Sequence, residues 1–327
     1  MLSLSCMITE CSVYRNGNYL VSREKFTLTK RCFRRDEDFK PEFPDSIDLK
    51  ISNRCNLGCP YCHENSISCG KLANLDEIKN KLSCLSGKPV EIAVGGGDVL
   101  CDDESRQLFN DLAIWLRDNS FITNLTVNEG SINTDSLQFL ETLERQSLIN
   151  ALGISIRPNT PLTRLNELSL DSWLISGSIV IHIVLGLIPL DFLDNILNHS
   201  TLLNKRILFL GYKQFGRAKN TPLPDSIKDF EVLIKKKILE NRSKHVGTFF
   251  VSSVILGFDN LAIEQLNLDK SLLKPEFSDI FMGPEFSCSM YIDAVEGEFA
   301  ETSRSENRVS WNSTDILTYF NHDKNKE

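Results

Sequence analysis

From residue 46 onward, short apolar runs rich in β-branched residues alternate with amphipathic helical patterns. That alternation restricts the chain to a parallel sheet covered by helices, because strands buried on both faces are apolar throughout and need helical crossovers between them. The strand candidates are 47–51, 90–94, 124–127, 152–156, 179–185 and 206–210. Helical patterns fall between them at 75–85, 104–119, 134–146, 162–169 and 189–203, the second with an apolar face through Leu108, Leu112, Trp115 and Leu116. Six such units are too few for a closed eight-stranded barrel. The order predicts an α/β fold, an open and partial (β/α)6 barrel of the TIM type.

The flanks differ from this middle. Val13-Tyr14-Arg15 and Tyr19-Leu20-Val21 enclose Asn16-Gly17, a pair suited to a tight hairpin turn, and Pro41 and Pro44 punctuate the chain before the barrel. After the sixth strand come a helical pattern at 226–240 and strand-like runs at 248–256 and 290–292, and the chain becomes polar from about Asn312. The expected organisation is an N-terminal hairpin extension over 1–45 and a partial barrel over 46–220. A C-terminal α+β extension over 221–311 would cover the barrel mouth, and a polar tail would fill 312–327.

A formal net charge of -8 argues against general nucleic-acid binding, which requires a surplus of cations for phosphate contacts. The stretch containing Arg15, Arg23, Lys25, Lys30, Arg31, Arg34 and Arg35 reads as a solvated face. The apolar run 173–190 approaches the length of a membrane span. It is interrupted by Ser176, Gly177, Ser178, His182, Gly186 and Pro189, so a loop followed by a buried strand accounts for it and no membrane is expected. The first residues lack a basic n-region and a long apolar core, which predicts a cytoplasmic protein. Of ten cysteines, three are clustered; Cys69, Cys84 and Cys101 read as buried strand residues.

The cluster lies just after the first barrel strand, in Ser52-Asn53-Arg54-Cys55-Asn56-Leu57-Gly58-Cys59-Pro60-Tyr61-Cys62-His63. Thiolates are the standard ligands of iron–sulfur clusters, and a four-iron cluster normally takes four of them. Three would leave one iron open. The other reading is a structural zinc site completed by His63, since zinc accepts three cysteines and a histidine.

Cys-x-x-x-Cys-x-x-Cys on this loop, with Tyr61 before the third cysteine, resembles the signature of the radical S-adenosylmethionine (SAM) superfamily. The resemblance runs through roughly residues 46–220. It implies one 4Fe–4S cluster on Cys55, Cys59 and Cys62, with SAM chelating the open iron, and reductive cleavage of SAM to a 5′-deoxyadenosyl radical that abstracts hydrogen from a substrate. It also implies a reductant protein such as a flavodoxin or ferredoxin. Gly95-Gly96-Gly97-Asp98, after the second strand, is similar to the family's glycine-glycine-glutamate motif for the methionine amino group, with a carboxylate one methylene shorter. Asn128, Ser155 and Arg157, ending strands three and four, match positions near the cofactor's ribose and carboxylate. Leu185-Gly186 matches the segment on its adenine.

Lys213 and Arg217, after strand six, are candidate ligands for an anionic group on the substrate. Cys288 and Tyr291 lie in a segment similar to the auxiliary-cluster regions of some relatives and are candidate substrate contacts or hydrogen donors. His63 is a candidate hydrogen-bond donor to a cluster sulfur. Three functions remain in view: a radical SAM enzyme acting on a peptide, one acting on a nucleotide-like small molecule, and a non-catalytic zinc or iron–sulfur binding protein.

Overall fold

In the computed structural model, residues 11–24, 27–34, 37–161, 179–198, 206–244, 254–278 and 280–322 are described. The chain starts with an antiparallel meander of β1 (Cys11–Asn16), β2 (Tyr19–Glu24) and β3 (Thr27–Cys32), in which Asn16 pairs with Tyr19 across the Gly17 turn. The expected hairpin therefore carries a third strand. Its Lys30, read as solvated, is instead partly buried and paired with Asp45 at 2.7 Å. Tyr19 Oη and Asn16 Nδ2 donate to the same carboxylate, which anchors the meander to the start of the barrel.

The main sheet runs in chain order through β4 (Ser46–Ser52), β5 (Glu91–Gly96), β6 (Ile122–Asn128), β7 (Ala151–Ser155), β8 (Ile179–Val184), β9 (Arg206–Leu210) and β10 (Ile255–Phe258). Each pair is parallel. β11 (Ser289–Asp293) adds in parallel to the other edge of β4, and β12 (Glu298–Ala300) and β13 (Val309–Ser310) follow it antiparallel. Among the described residues, the sheet stays open between β10 and β13. This is a partial TIM-like barrel with an α+β extension.

Crossovers are made by α1 (Leu75–Leu82), α2 (Asp103–Asp118), α3 (Thr134–Arg145) and α4 (Leu190–Asn198); α5 (Ile227–Lys244) and α6 (Asn260–Gln265) flank β10. Their starts are capped as the sequence dictates. Asn74 accepts from Asp76 N and Glu77 N, Asp102 from Ser105 N, and Asn133 forms a capping box with Ser136. Ile47, Leu49 and Ile51 on β4, Ile92 and Val94 on β5, and Leu125 on β6 pack with Ile78, Phe109, Leu112 and Leu140 of the helices in one buried core. Each such side chain contributes roughly 1.5–3 kcal/mol by leaving water. The expected helix at 162–169 lies outside the described residues. Among the described residues, no helix is long and apolar enough to cross a membrane.

The opposite face of the same strands is polar, with Asp48, Lys50 and Ser52 on β4, Glu91 on β5, Thr126 and Asn128 on β6, Ser155 on β7 and His182 on β8. Because the barrel is open, this face borders a cavity of about 800 Å³ rather than a packed interior. Towards β9 the wall turns apolar, through Val184, Leu208 and Leu210.

Candidate functional site

Cys55, Cys59 and Cys62 all line the cavity, partly buried, with free thiols. Their loop is folded back on itself: Asn53 N donates to Lys71 O and Cys55 N to Ile67 O, both at 2.9 Å. It is also tied to the next strand end, where Gly97 N donates to Ser52 O at 2.6 Å and Asp98 N to Arg54 O at 2.8 Å. This approach explains the glycine run. A Cβ on Gly97 would lie 2.2 Å from Arg54 O, and Gly96 has φ +108 with Ser52 O 2.6 Å from its Cβ position. Gly95, by contrast, has nothing within 4 Å and leaves open space in the cavity wall.

Arg217 braces the cysteine loop from the far side of the barrel. Its Nε donates to Cys59 O (2.8 Å), its Nη1 to Ser66 O (2.7 Å) and its backbone N to Cys62 O (3.1 Å). Gly216, at φ +55, permits this, because a Cβ there would meet His63 O at 2.5 Å. The guanidinium is thus committed to carbonyls. It does not face the cavity.

Tyr61, Asp98, Asn128, Ser155, Lys213, Cys288 and Tyr291 join the cysteines and Gly95, Gly96 and Gly97 around the cavity. Asp98 is almost fully buried and both its oxygens are engaged, Oδ1 by Leu100 N at 2.9 Å and Oδ2 by the Ser131 hydroxyl. Burial raises its pKa. Three candidates lie elsewhere. Arg157 pairs through Nε with the buried Glu129 at 2.7 Å, Leu185 is in the apolar core, and Gly186 turns under Pro224. Cys69 and Cys84, read as buried, are exposed, since the first lies in the turn of the cysteine lobe and the second in a helical turn after α1.

Lys50, Glu64 and Asp293, which motif reading did not single out, form a further group in the site. Lys50 Nζ lies 2.9 Å from both Glu64 Oε2 and Asp293 Oδ2. Tyr291 Oη donates to Glu64 Oε1 at 3.2 Å, and His63 Nε2 lies 3.3 Å from the same oxygen. The cysteine loop is thereby joined to β11. A signal existed in Ser46-Ile47-Asp48-Leu49-Lys50-Ile51, where charge alternates with apolar residues in a strand otherwise suited to full burial.

Among the described residues, no three His, Cys, Asp or Glu side chains gather closely enough to hold a single metal ion. A tetrahedral zinc with bonds of 2.3 Å needs its sulfurs about 3.8 Å apart. A cluster binds each thiolate to a different iron, so the same three thiols can stand further apart around it.

His182 lines the cavity, and burial pulls its pKa down to about 4. The unfolded chain then takes up a proton near pH 6.5 that the native site refuses until about pH 4, so stability falls as pH drops through that window. Urea unfolding at pH 7 and pH 5 is expected to show this loss, and His182→Leu to reduce it. An unchanged difference would mean that other groups carry it.

No protein-family model and no curated protein matches the chain. The fold does match solved structures. Streptococcus suis SuiB bound to S-adenosylmethionine superposes with a TM-score of 0.56 at 14% identity, covering 86% of this chain and 66% of that one. SuiB bound to its precursor peptide SuiA gives 0.55 at 14% identity, with 86% and 65% covered. A third SuiB structure gives 0.53, also at 14% identity, with 86% and 66% covered. The chain therefore has the SuiB fold and spans just under two thirds of SuiB's length. At this identity the likeness establishes architecture alone.

Proposed function

We propose that this chain is a radical SAM enzyme and that it modifies a peptide. The observation that carries the reading is the set of three free thiols on one cavity wall, laced by backbone hydrogen bonds to a glycine run at the neighbouring strand end. The donor set fits the group: three partly buried thiols in a cavity large enough for a cluster and a nucleoside-sized ligand together. Cys55, Cys59 and Cys62 would hold a 4Fe–4S cluster. When bound, that group supplies the electron that breaks a carbon–sulfur bond of SAM, giving a 5′-deoxyadenosyl radical that takes hydrogen from the substrate.

This chain's own residues do the rest. Open space at Gly95 and the polar side chains of Asn128 and Ser155 would receive SAM, while Arg217 and the hydrogen bonds from Gly97 and Asp98 fix the loop. The 221–311 segment contributes residues such as Lys213's partner Ser303, at 2.8 Å, to the cavity rim, and would enclose the substrate. The peptide reading is supported by SuiB, captured with its precursor peptide on the same fold. The nucleotide-like alternative has less support, because only Lys213 of its two expected cations faces the cavity. Reduction would come from a flavodoxin or ferredoxin in the cytoplasm.

The test is anaerobic reconstitution with iron and sulfide, then reduction by dithionite with SAM. The native protein is expected to release 5′-deoxyadenosine and Cys59→Ala none. Preferential uptake of zinc, or equal release from both proteins, would sink the proposal.

A further inference from the structure

Asp48 projects from the middle of β4, with Ala93 of β5 and Tyr291 of β11 as its partners in register. The residue is exposed, and because strands flank it on both sides its exposed surface faces the cavity. Among the described residues, none lies in hydrogen-bonding or ion-pairing contact with it. Every comparable acid on the wall is satisfied within the protein: Asp45 by Lys30, Glu64 by Lys50, Glu91 by Asn124, Asp98 by Ser131, Asp259 by two backbone N–H groups, and Glu285 by Arg304. Glu301 has no such partner either and is likewise exposed, but it follows the end of β12 instead of standing in mid-strand.

The charges that reach Asp48 are one ammonium, that of Lys213, which acts most strongly, and three carboxylates, those of Glu91, Asp259 and Glu64. Lys213 is drawn aside to the Ser303 hydroxyl. Over the whole wall, eight carboxylates face four lysine or arginine side chains, so the field at the cavity floor is negative. With no donor from the protein, this carboxylate is free to accept from a ligand that enters the cavity. The carboxylates do not converge on a point that would hold a metal ion. An organic cation with its own reach fits the position.

We infer that Asp48 receives a cationic nitrogen of the substrate, an alkylammonium or guanidinium, so that the peptide this cavity takes presents a lysine or arginine side chain at its floor. The inference rests on the peptide reading of the same cavity and names the side chain that reading leaves open. A charge-assisted hydrogen bond inside the cavity discriminates against an apolar isostere, which offers the carboxylate no donor.

The test uses the full-length protein, before and after reconstitution, with N-acetyl-lysine methylamide, its arginine counterpart and the isosteric N-acetyl-norleucine methylamide as ligands in calorimetry or ligand-observed NMR. One or both cationic ligands are expected to bind on the order of tenfold or more tightly than norleucine. Asp48→Asn is expected to abolish that preference, while Glu301→Gln, removing the same charge at the rim, keeps most of it. Equal binding of all three ligands by the native protein overturns the inference even if Asp48→Asn does not fold. So does an equal loss in both variants, which would signify a general field. Iron and sulfide uptake by the native protein reports on the cluster separately, so failure of the enzyme reading and failure of the Asp48 assignment are distinguishable.

Discussion

Exchange of Lys50 for methionine is expected to destabilise the protein by about 3–5 kcal/mol, the cost of leaving buried charges without their partner. Lys50 is 7% exposed and its two acceptors, Glu64 and Asp293, are 10% and 5% exposed. Methionine fills the same volume, so the loss is electrostatic rather than a cavity. Tyr291 keeps its hydrogen bond to Glu64, and Arg308 lies 3.6 Å from Asp293, too far to replace a 2.9 Å ion pair. Because Glu64 follows the third cysteine by two residues, iron uptake should fall with stability. Combining Lys50→Met with Glu64→Gln should cost less than the two changes summed, since the second removes the charge that the first strands. A loss under about 1 kcal/mol by urea unfolding, the value of an exposed pair, would show that the network is solvated.

That network marks the boundary of what could be read from residues alone. The apolar face of each barrel strand was legible, because Ile47, Leu49 and Ile51 must meet helices wherever the sheet goes. The position of β11 was not. Met290-Tyr291-Ile292 announces a strand but no edge, and its place beside β4 is fixed by Asp293 meeting Lys50 across 243 residues of sequence. Arg217 is a similar case. A loop cation after strand six suggests a substrate ligand, and only the approach of Gly216 to the His63 carbonyl, at φ +55, turns it towards the cysteine loop. Lys30 was assigned to solvent because its neighbours in sequence are basic, whereas Asp45, fifteen residues later, holds it. Spacing within a motif survives in the sequence; long-range partnerships between single charges do not.

Two alanine substitutions two residues apart should separate the architecture of the glycine run from its chemistry. Gly97→Ala is expected to unseat the cysteine loop, because the added Cβ would stand 2.2 Å from Arg54 O and 2.8 Å from Arg54 N, and backbone on both sides cannot yield as a flexible side chain would. Relief requires breaking the Gly97 to Ser52 or the Asp98 to Arg54 hydrogen bond, and these hold Cys55 in register with the strand end. The predicted result is a loss of about 2–4 kcal/mol, typical of overpacking combined with broken backbone pairing, and iron uptake reduced in proportion. Gly95→Ala adds the same methyl group where nothing lies within 4 Å. Its thermal midpoint should match that of the native protein, while its affinity for SAM, read by calorimetry on reconstituted protein, falls because the methyl projects into the cavity. Equal destabilisation by both substitutions would mean that the run serves the turn alone; an unaltered SAM affinity in Gly95→Ala would remove this strand end from the cofactor's path.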